Sequence, residues 1–168
     1  MVILGVDPGL RATGYAFLQG LPGGVELVAH GLVRTEDDAP LANRLERIHG
    51  ALFALLEQRR PSQVAVEDLY ATQRYPRTAI LMGHVRGVVC LAAAELAIEV
   101  TALPPAAVKQ AIAGFGAASK GQVQAAVQRL LRWPEPFDVH VSDAVAICLT
   151  ALSRAGVPLR LRVQEVVL

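Results

Sequence analysis

Two short apolar runs, each closing on a carboxylate, limit what this chain can fold into. The first is V-I-L-G-V-D (Val2–Asp7), followed by Pro8 and Gly9; the second is Q-V-A-V-E (Gln63–Glu67). Runs of this length and character are buried strands. Pro8 holds Asp7 extended, and Gly9 permits a tight turn after it. Between them Leu41, Leu45, Ile48, Leu52, Leu55 and Leu56 recur at helical spacing, and Pro61 closes the pattern. A helix crossing from one strand to the next in the same sheet makes the two parallel. Neighbouring strands lie ~4.8 Å apart, so Asp7 and Glu67 are expected side by side at the sheet's C-terminal edge. That edge is where open α/β sheets place their ligands.

The rest of the chain completes such a sheet. Thr13–Leu18 and Val25–Val33 read as strands joined by the G-L-P-G-G turn at 20–24, giving an antiparallel meander with the first strand. Thr78–Ile98 reads as a long helix, apolar on almost every side, which needs covering by the sheet and by a second subunit. A strand at Val100–Leu103, a helix at Pro104–Ala113, the loop G-F-G-A-A-S-K (114–120) and a helix at Gln122–Leu131 follow. A loop with two prolines at 133–137 leads into a last helix running to about Arg154. The pattern is a three-layer α/β domain with a mixed sheet, a single domain over 1–168 in which 155–168 are peripheral.

Composition narrows the class further. Counting glycine raises the 53% hydrophobic share to roughly 60%, against a usual ~45–50%, an excess that suits a subunit interface. The longest apolar candidate for a membrane span, Ala79–Ala94, is interrupted by His84 and Arg86, and the N-terminus has no export-signal pattern. No membrane association and a cytoplasmic location are expected, with Cys90 and Cys148 as reduced core thiols. The net charge of +1 is unevenly spread: residues 1–68 hold six Arg against nine acids, whereas 69–134 hold seven basic residues against Glu95 and Glu99. A basic middle suits a polyanionic substrate, and equally a solvated basic face.

The last helix carries His140 and Asp143, which project within roughly 60° of each other. Val141, Val145 and Ile147 make the remaining surface apolar. Asp138, just after the proline break, reads as the N-cap. With Asp7 and Glu67 the pair makes an oxygen-rich site with one nitrogen, whose crowded carboxylates need a cation. Those donors suit Mg²⁺ or Mn²⁺, and the site contains no thiol. Each residue taken alone has a plainer account. An Asp before Pro-Gly forms turns, Glu67-Asp68 is an ordinary strand end, and a single histidine is commonly a satisfied core or surface residue.

The motifs I-L-G-V-D-P-G-L-R-A-T-G-Y (3–15), V-A-V-E-D-L-Y (64–70), H-V-R-G-V (84–88), V-K-Q-A-I-A-G-F-G-A-A-S-K-G-Q-V-Q (108–124) and V-S-D-A-V-A-I (141–147) occur in that order. Together they resemble the RuvC family of Holliday-junction resolvases over nearly the whole chain. The resemblance implies a ribonuclease H-like fold with sheet order 3-2-1-4-5. It implies that Asp7, Glu67 and Asp143 are catalytic metal ligands, and it places His140 where many members have an acid. Two divalent cations per subunit, Mg²⁺ or Mn²⁺, would then hydrolyse a phosphodiester to 5′-phosphate and 3′-hydroxyl ends. The histidine makes Mn²⁺ at least as suitable as Mg²⁺.

Lys109 and Lys120 match basic positions that contact DNA in the family, and Tyr70 matches an aromatic that stacks on bases. Arg11, Arg74 and Arg77 flank the two acidic strand ends, and Phe115 sits at a loop tip. A four-way junction with approximate two-fold symmetry calls for two active sites, hence a homodimer; family members also act beside a branch-migration motor. Two other classes compete with this reading. An actin-like ATPase needs two duplicated domains, which 168 residues do not hold, and Ser119 and Gly121 spoil a Walker phosphate loop. A junction-binding protein without catalysis, its site spoiled by His140, is the remaining alternative.

Overall fold

The computed structural model describes residues 1–68 and 76–159, which leaves Tyr70 and Arg74 outside the described residues. Its elements are β1 (Val2–Asp7), β2 (Ala12–Leu21), β3 (Gly24–Arg34), α1 (Leu41–Arg59), β4 (Gln63–Glu67), α2 (Pro76–Glu95), β5 (Val100–Leu103), α3 (Pro105–Ala113), α4 (Lys120–Leu131) and α5 (Val139–Arg154). The five strands form one sheet in the order β3-β2-β1-β4-β5. β1 pairs antiparallel with β2 and parallel with β4, with Val6 opposite Val66, so the expected mixed sheet is the observed one. The hairpin between β2 and β3 is tighter than 20–24, because the strands run on and leave Pro22 and Gly23 as the turn.

Alternation along the strands sorts the core into two layers. Leu4, Val6, Phe17, Val33 and Val64 face α1 and α2, packing with Ile48, Leu52, Leu56, Val85 and Val89. Ile3, Ala16, Leu18 and Ala65 face α3, α4 and α5, packing with Val108, Ile112, Val127, Val145 and Leu149. Asp7 follows Ile3 and Gly5 in parity, and Glu67 follows Ala65, so both carboxylates emerge on the α5 side. Asp68 has the other parity; its carboxylate lies 3.4 Å from the Arg86 guanidinium of α2.

α5 lies unusually close to the sheet, and two glycines permit it. A Cβ on Gly5 would stand 2.3 Å from the Ala144 carbonyl oxygen, and one on Gly14 only 2.1 Å from that of His140. The helix is buried from Val141 to Leu152 except at Asp143. Its Cys148 thiol donates to the Ala16 carbonyl at 3.1 Å, and burial pushes that thiol up to about 12. Cys90 is also free but only half-buried, so just one of the two thiols expected in the core is fully enclosed.

α2 ends at Glu95 rather than Ile98, because Ala97 takes a left-handed conformation at φ 55° and turns the chain into β5. Its segment Arg77–Glu95 is long and apolar enough, by length and composition alone, to cross a membrane. Here one side of it packs Val85, Val89, Ala92 and Ala93 into the core beside α1, while most of the segment lies outside the core. Its outer face carries Ile80 and Leu91, 61% and 53% exposed.

Candidate active site

The site lies where β1 and β4 end beneath the first turn of α5. Asp138 caps that helix, accepting a hydrogen bond from the His140 amide at 2.9 Å, as its place after the proline break predicts. The cap fixes the turn on which His140 and Asp143 sit. The His140 ring nitrogen Nδ1 meets the Asp7 carboxylate at 2.7 Å. Asp143, the one half-buried position on the inner stretch of α5, meets Lys120 Nζ at 2.6 Å. Glu67 lines the adjoining cleft of about 300 Å³ with Lys109, Lys120 and Asp143 at its polar side and Pro105, Val108, Val123, Ala146 and Ile147 at its apolar side.

The three carboxylates act on one another's charge. Burial, the largest influence on Asp7, raises its pKa; the His140 hydrogen bond opposes this and the charge of Asp143 adds to it. Burial followed by the charges of Asp7 and Asp143 pushes Glu67 up from 4.5 to about 7, against a smaller pull from Lys120 and Lys109. Burial works against the charge on Lys120, yet the hydrogen bond to Asp143 and the fields of Asp143, Asp7 and Glu67 hold its pKa above the ordinary lysine value. A cluster with this imbalance attracts cations, and its oxygen-rich donor set with one imidazole suits a hard divalent ion. Among the described residues, no three His, Cys, Asp or Glu side chains stand ready around a single ion position. Asp7 is turned to His140 and Asp143 to Lys120, so the donors fit such an ion by chemistry while two of them are engaged internally.

The other expected site residues are dispersed. Lys109 and Lys120 share the cleft. Arg11 is exposed and its guanidinium is paired with Asp37, beside the β3–α1 connection. Arg77 is exposed in the first turn of α2, and Phe115 is 46% exposed after the end of α3. Two features of the site were missed in the sequence. Lys120 belongs to α4, not to the preceding loop, because Ser119 and Gln122 form a capping box. The signature S-K-G-Q carries that information at the level of sequence. The pairing of Lys120 with Asp143 is a tertiary contact with no local signal.

A profile of the family described as crossover junction endodeoxyribonuclease RuvC matches residues 3–151. The relative of that name from Pelotomaculum thermopropionicum is 42% identical over 151 residues, covering 88% of this chain and 92% of its own. That from Heliobacterium modesticaldum is 41% identical over 163 residues, covering 95% of this chain and all of its own. Among solved structures, Thermus thermophilus RuvC in complex with a Holliday junction substrate superposes with a TM-score of 0.84 at 35% identity, covering 93% of this chain and 96% of that one. The yeast mitochondrial Holliday junction resolvase, at 15% identity and a TM-score of 0.56, shares the fold.

Proposed function

This chain belongs to the RuvC family of crossover junction endodeoxyribonucleases, and from that premise we propose that Asp7, Glu67, His140 and Asp143 form its catalytic metal site. The chain is an endodeoxyribonuclease that resolves Holliday junctions in DNA recombination and repair, with the four-way junction as its partner. The observation that carries the site is the meeting of carboxylates from β1, β4 and α5 beneath the first turn of that helix, where burial first and then the charges of Asp7 and Asp143 push Glu67 up to about 7. Two divalent cations, Mg²⁺ or Mn²⁺, when bound there would supply an activated water nucleophile and neutralise charge on the leaving 3′-oxygen of a phosphodiester. His140 holds the Asp7 carboxylate in one orientation through its 2.7 Å contact. Lys109 and Lys120, on the rim of the cleft, grip non-bridging phosphate oxygens of the cut strand. Val108 and Val123 line the apolar side of the cleft. Residues 1–168 act as one nuclease domain.

Two symmetric nicks need two such sites. Ile80, His84, Gly87, Leu91 and Ala94 are exposed along α2 at alternating four- and three-residue spacing, and Gly87 leaves room for close approach. That stripe suits α2 packing on its copy in a homodimer. A motor that drives branch migration would act beside this dimer. The test is Asp7→Asn on a synthetic four-way junction. Nicking should vanish while junction affinity stays within a few-fold, because the basic surface is untouched. Equal loss of binding and cutting would count against the site. A native chain that shifts the junction without nicking it would support the non-catalytic reading.

A further inference from the structure

We propose that Lys120 is the resident counter-ion of the acidic site, seated on Asp143 in the absence of metal, and that divalent cations enter by displacing it. The inference rests on the reading of Asp7, Glu67, His140 and Asp143 as the cation site. Three observations carry it. First, Lys120 Nζ lies 2.6 Å from Asp143 Oδ2, and the ammonium stands on the same cleft as Glu67. It therefore holds positive charge where a divalent ion would place its own.

Second, this lysine is in an unfavourable place for any other reason. It is the first residue of α4, where the helix dipole disfavours a cation, and the Ser119–Gln122 capping box fixes that position independently of its side chain. The carboxylates facing it supply the compensation. Third, the Lys120 side chain is 58% exposed, so its flexible four-carbon arm can swing to water without unpacking the core. A salt bridge this open is weak and reversible. Once displaced, the ammonium stays on the rim beside Lys109, positioned for a strand phosphate. Metal entry and the gripping of DNA are thereby linked through one side chain.

A lysine that stands clear of the carboxylates and only contacts DNA predicts no change in metal binding without DNA. The test measures Mn²⁺ affinity of the DNA-free chain by the free-ion electron paramagnetic resonance signal. Lys120→Gln should bind Mn²⁺ roughly two- to fivefold more tightly, the worth of removing one partly exposed competing charge. Unchanged or weaker affinity would overturn the displacement while leaving the metal site standing. Mn²⁺ uptake absent from both proteins would overturn the site and the displacement together.

A second measurement needs no variant that might fold poorly. Lys109 and Lys120 are the only lysines in the chain. Reductive ¹³C-methylation labels both while keeping their charge. In the absence of DNA, saturating Mg²⁺ should carry the Lys120 methyl signal to the position of a free lysine. A Lys120 signal that stays in place while Mg²⁺ binds would refute the idea.

Discussion

Replacing Glu67 by glutamine in protein stripped of divalent cations should stabilise the fold, and increasingly so as the pH rises. Glu67 ends β4 half-buried, and burial together with the charges of Asp7 and Asp143 moves its pKa from 4.5 to about 7. The folded state therefore binds this proton more tightly than the unfolded chain. That contribution to stability is fully present below 4.5 and is lost as the pH passes through about 7. Each pH unit of the interval is worth about 1.36 kcal/mol, so ionising Glu67 in the folded chain costs roughly 3 kcal/mol. Water still reaches one side of the carboxylate, which reduces the figure to about 2 kcal/mol.

Glutamine fills nearly the same space and carries no charge. In chelator, at fixed protein concentration and ionic strength, the Glu67→Gln variant should thus gain on the native chain by about 2 kcal/mol between roughly pH 5 and pH 8. For a chain of 168 residues this corresponds to a melting temperature about 4–8 °C higher than native at the alkaline end. Saturating Mn²⁺ should reverse the order, because only the native carboxylate can exchange repulsion for coordination. A stability difference independent of pH would refute the account of Glu67 as an anion crowded by Asp7 and Asp143. So would a variant less stable than native in chelator at pH 8.

Three further outcomes follow from the packing. Gly14→Ala places a methyl 2.1 Å from the His140 carbonyl oxygen; it should cost about 2–3 kcal/mol by urea denaturation. Because α5 must lift to admit that methyl, nicking should also fall at temperatures where the variant is fully folded, and undisturbed cleavage would show that the seat of the helix does not matter. Ala97→Gly relieves a left-handed residue at φ 55° and should raise stability by about 0.5–1 kcal/mol; a loss would mean that Ala97 packs better than its exposure suggests. Leu91→Glu puts a charge on the exposed α2 stripe and should yield monomers in sedimentation velocity. An unchanged dimer would place the interface elsewhere.

How much of this could be read in the residues depends on where the information lies. β1 and β4 are apolar between their end residues because both faces of the sheet are covered, and this made them visible. Asp7 and Glu67 were visible as the first carboxylates to end those runs. Alternation then explains why Glu67, the acid expected at the sheet edge, faces α5 while Asp68 turns to Arg86 of α2. Asp138 was legible as a cap because capping is local chemistry. The start of α4 is equally local, set by the S-K-G-Q capping box, although the glycines before it make the segment read as a loop. The end of α2 had no such signal, since alanine rarely takes the left-handed conformation that stops it there.

The site depends most on what a linear pattern hides, the distance between α5 and the sheet. Asp7 reaches His140 because Gly5 and Gly14 remove the two Cβ atoms that would hold the helix away. In the sequence those glycines read as weak points in strands, with nothing to mark them as a bearing surface for a helix more than a hundred residues downstream. The same closeness buries Asp7, sets it against the charges of Glu67 and Asp143, and makes positive charge welcome in the cleft. Packing and chemistry are therefore one constraint here. A helix seated farther out would leave each carboxylate separately solvated, and the repulsion that favours a divalent cation would disappear with the contact.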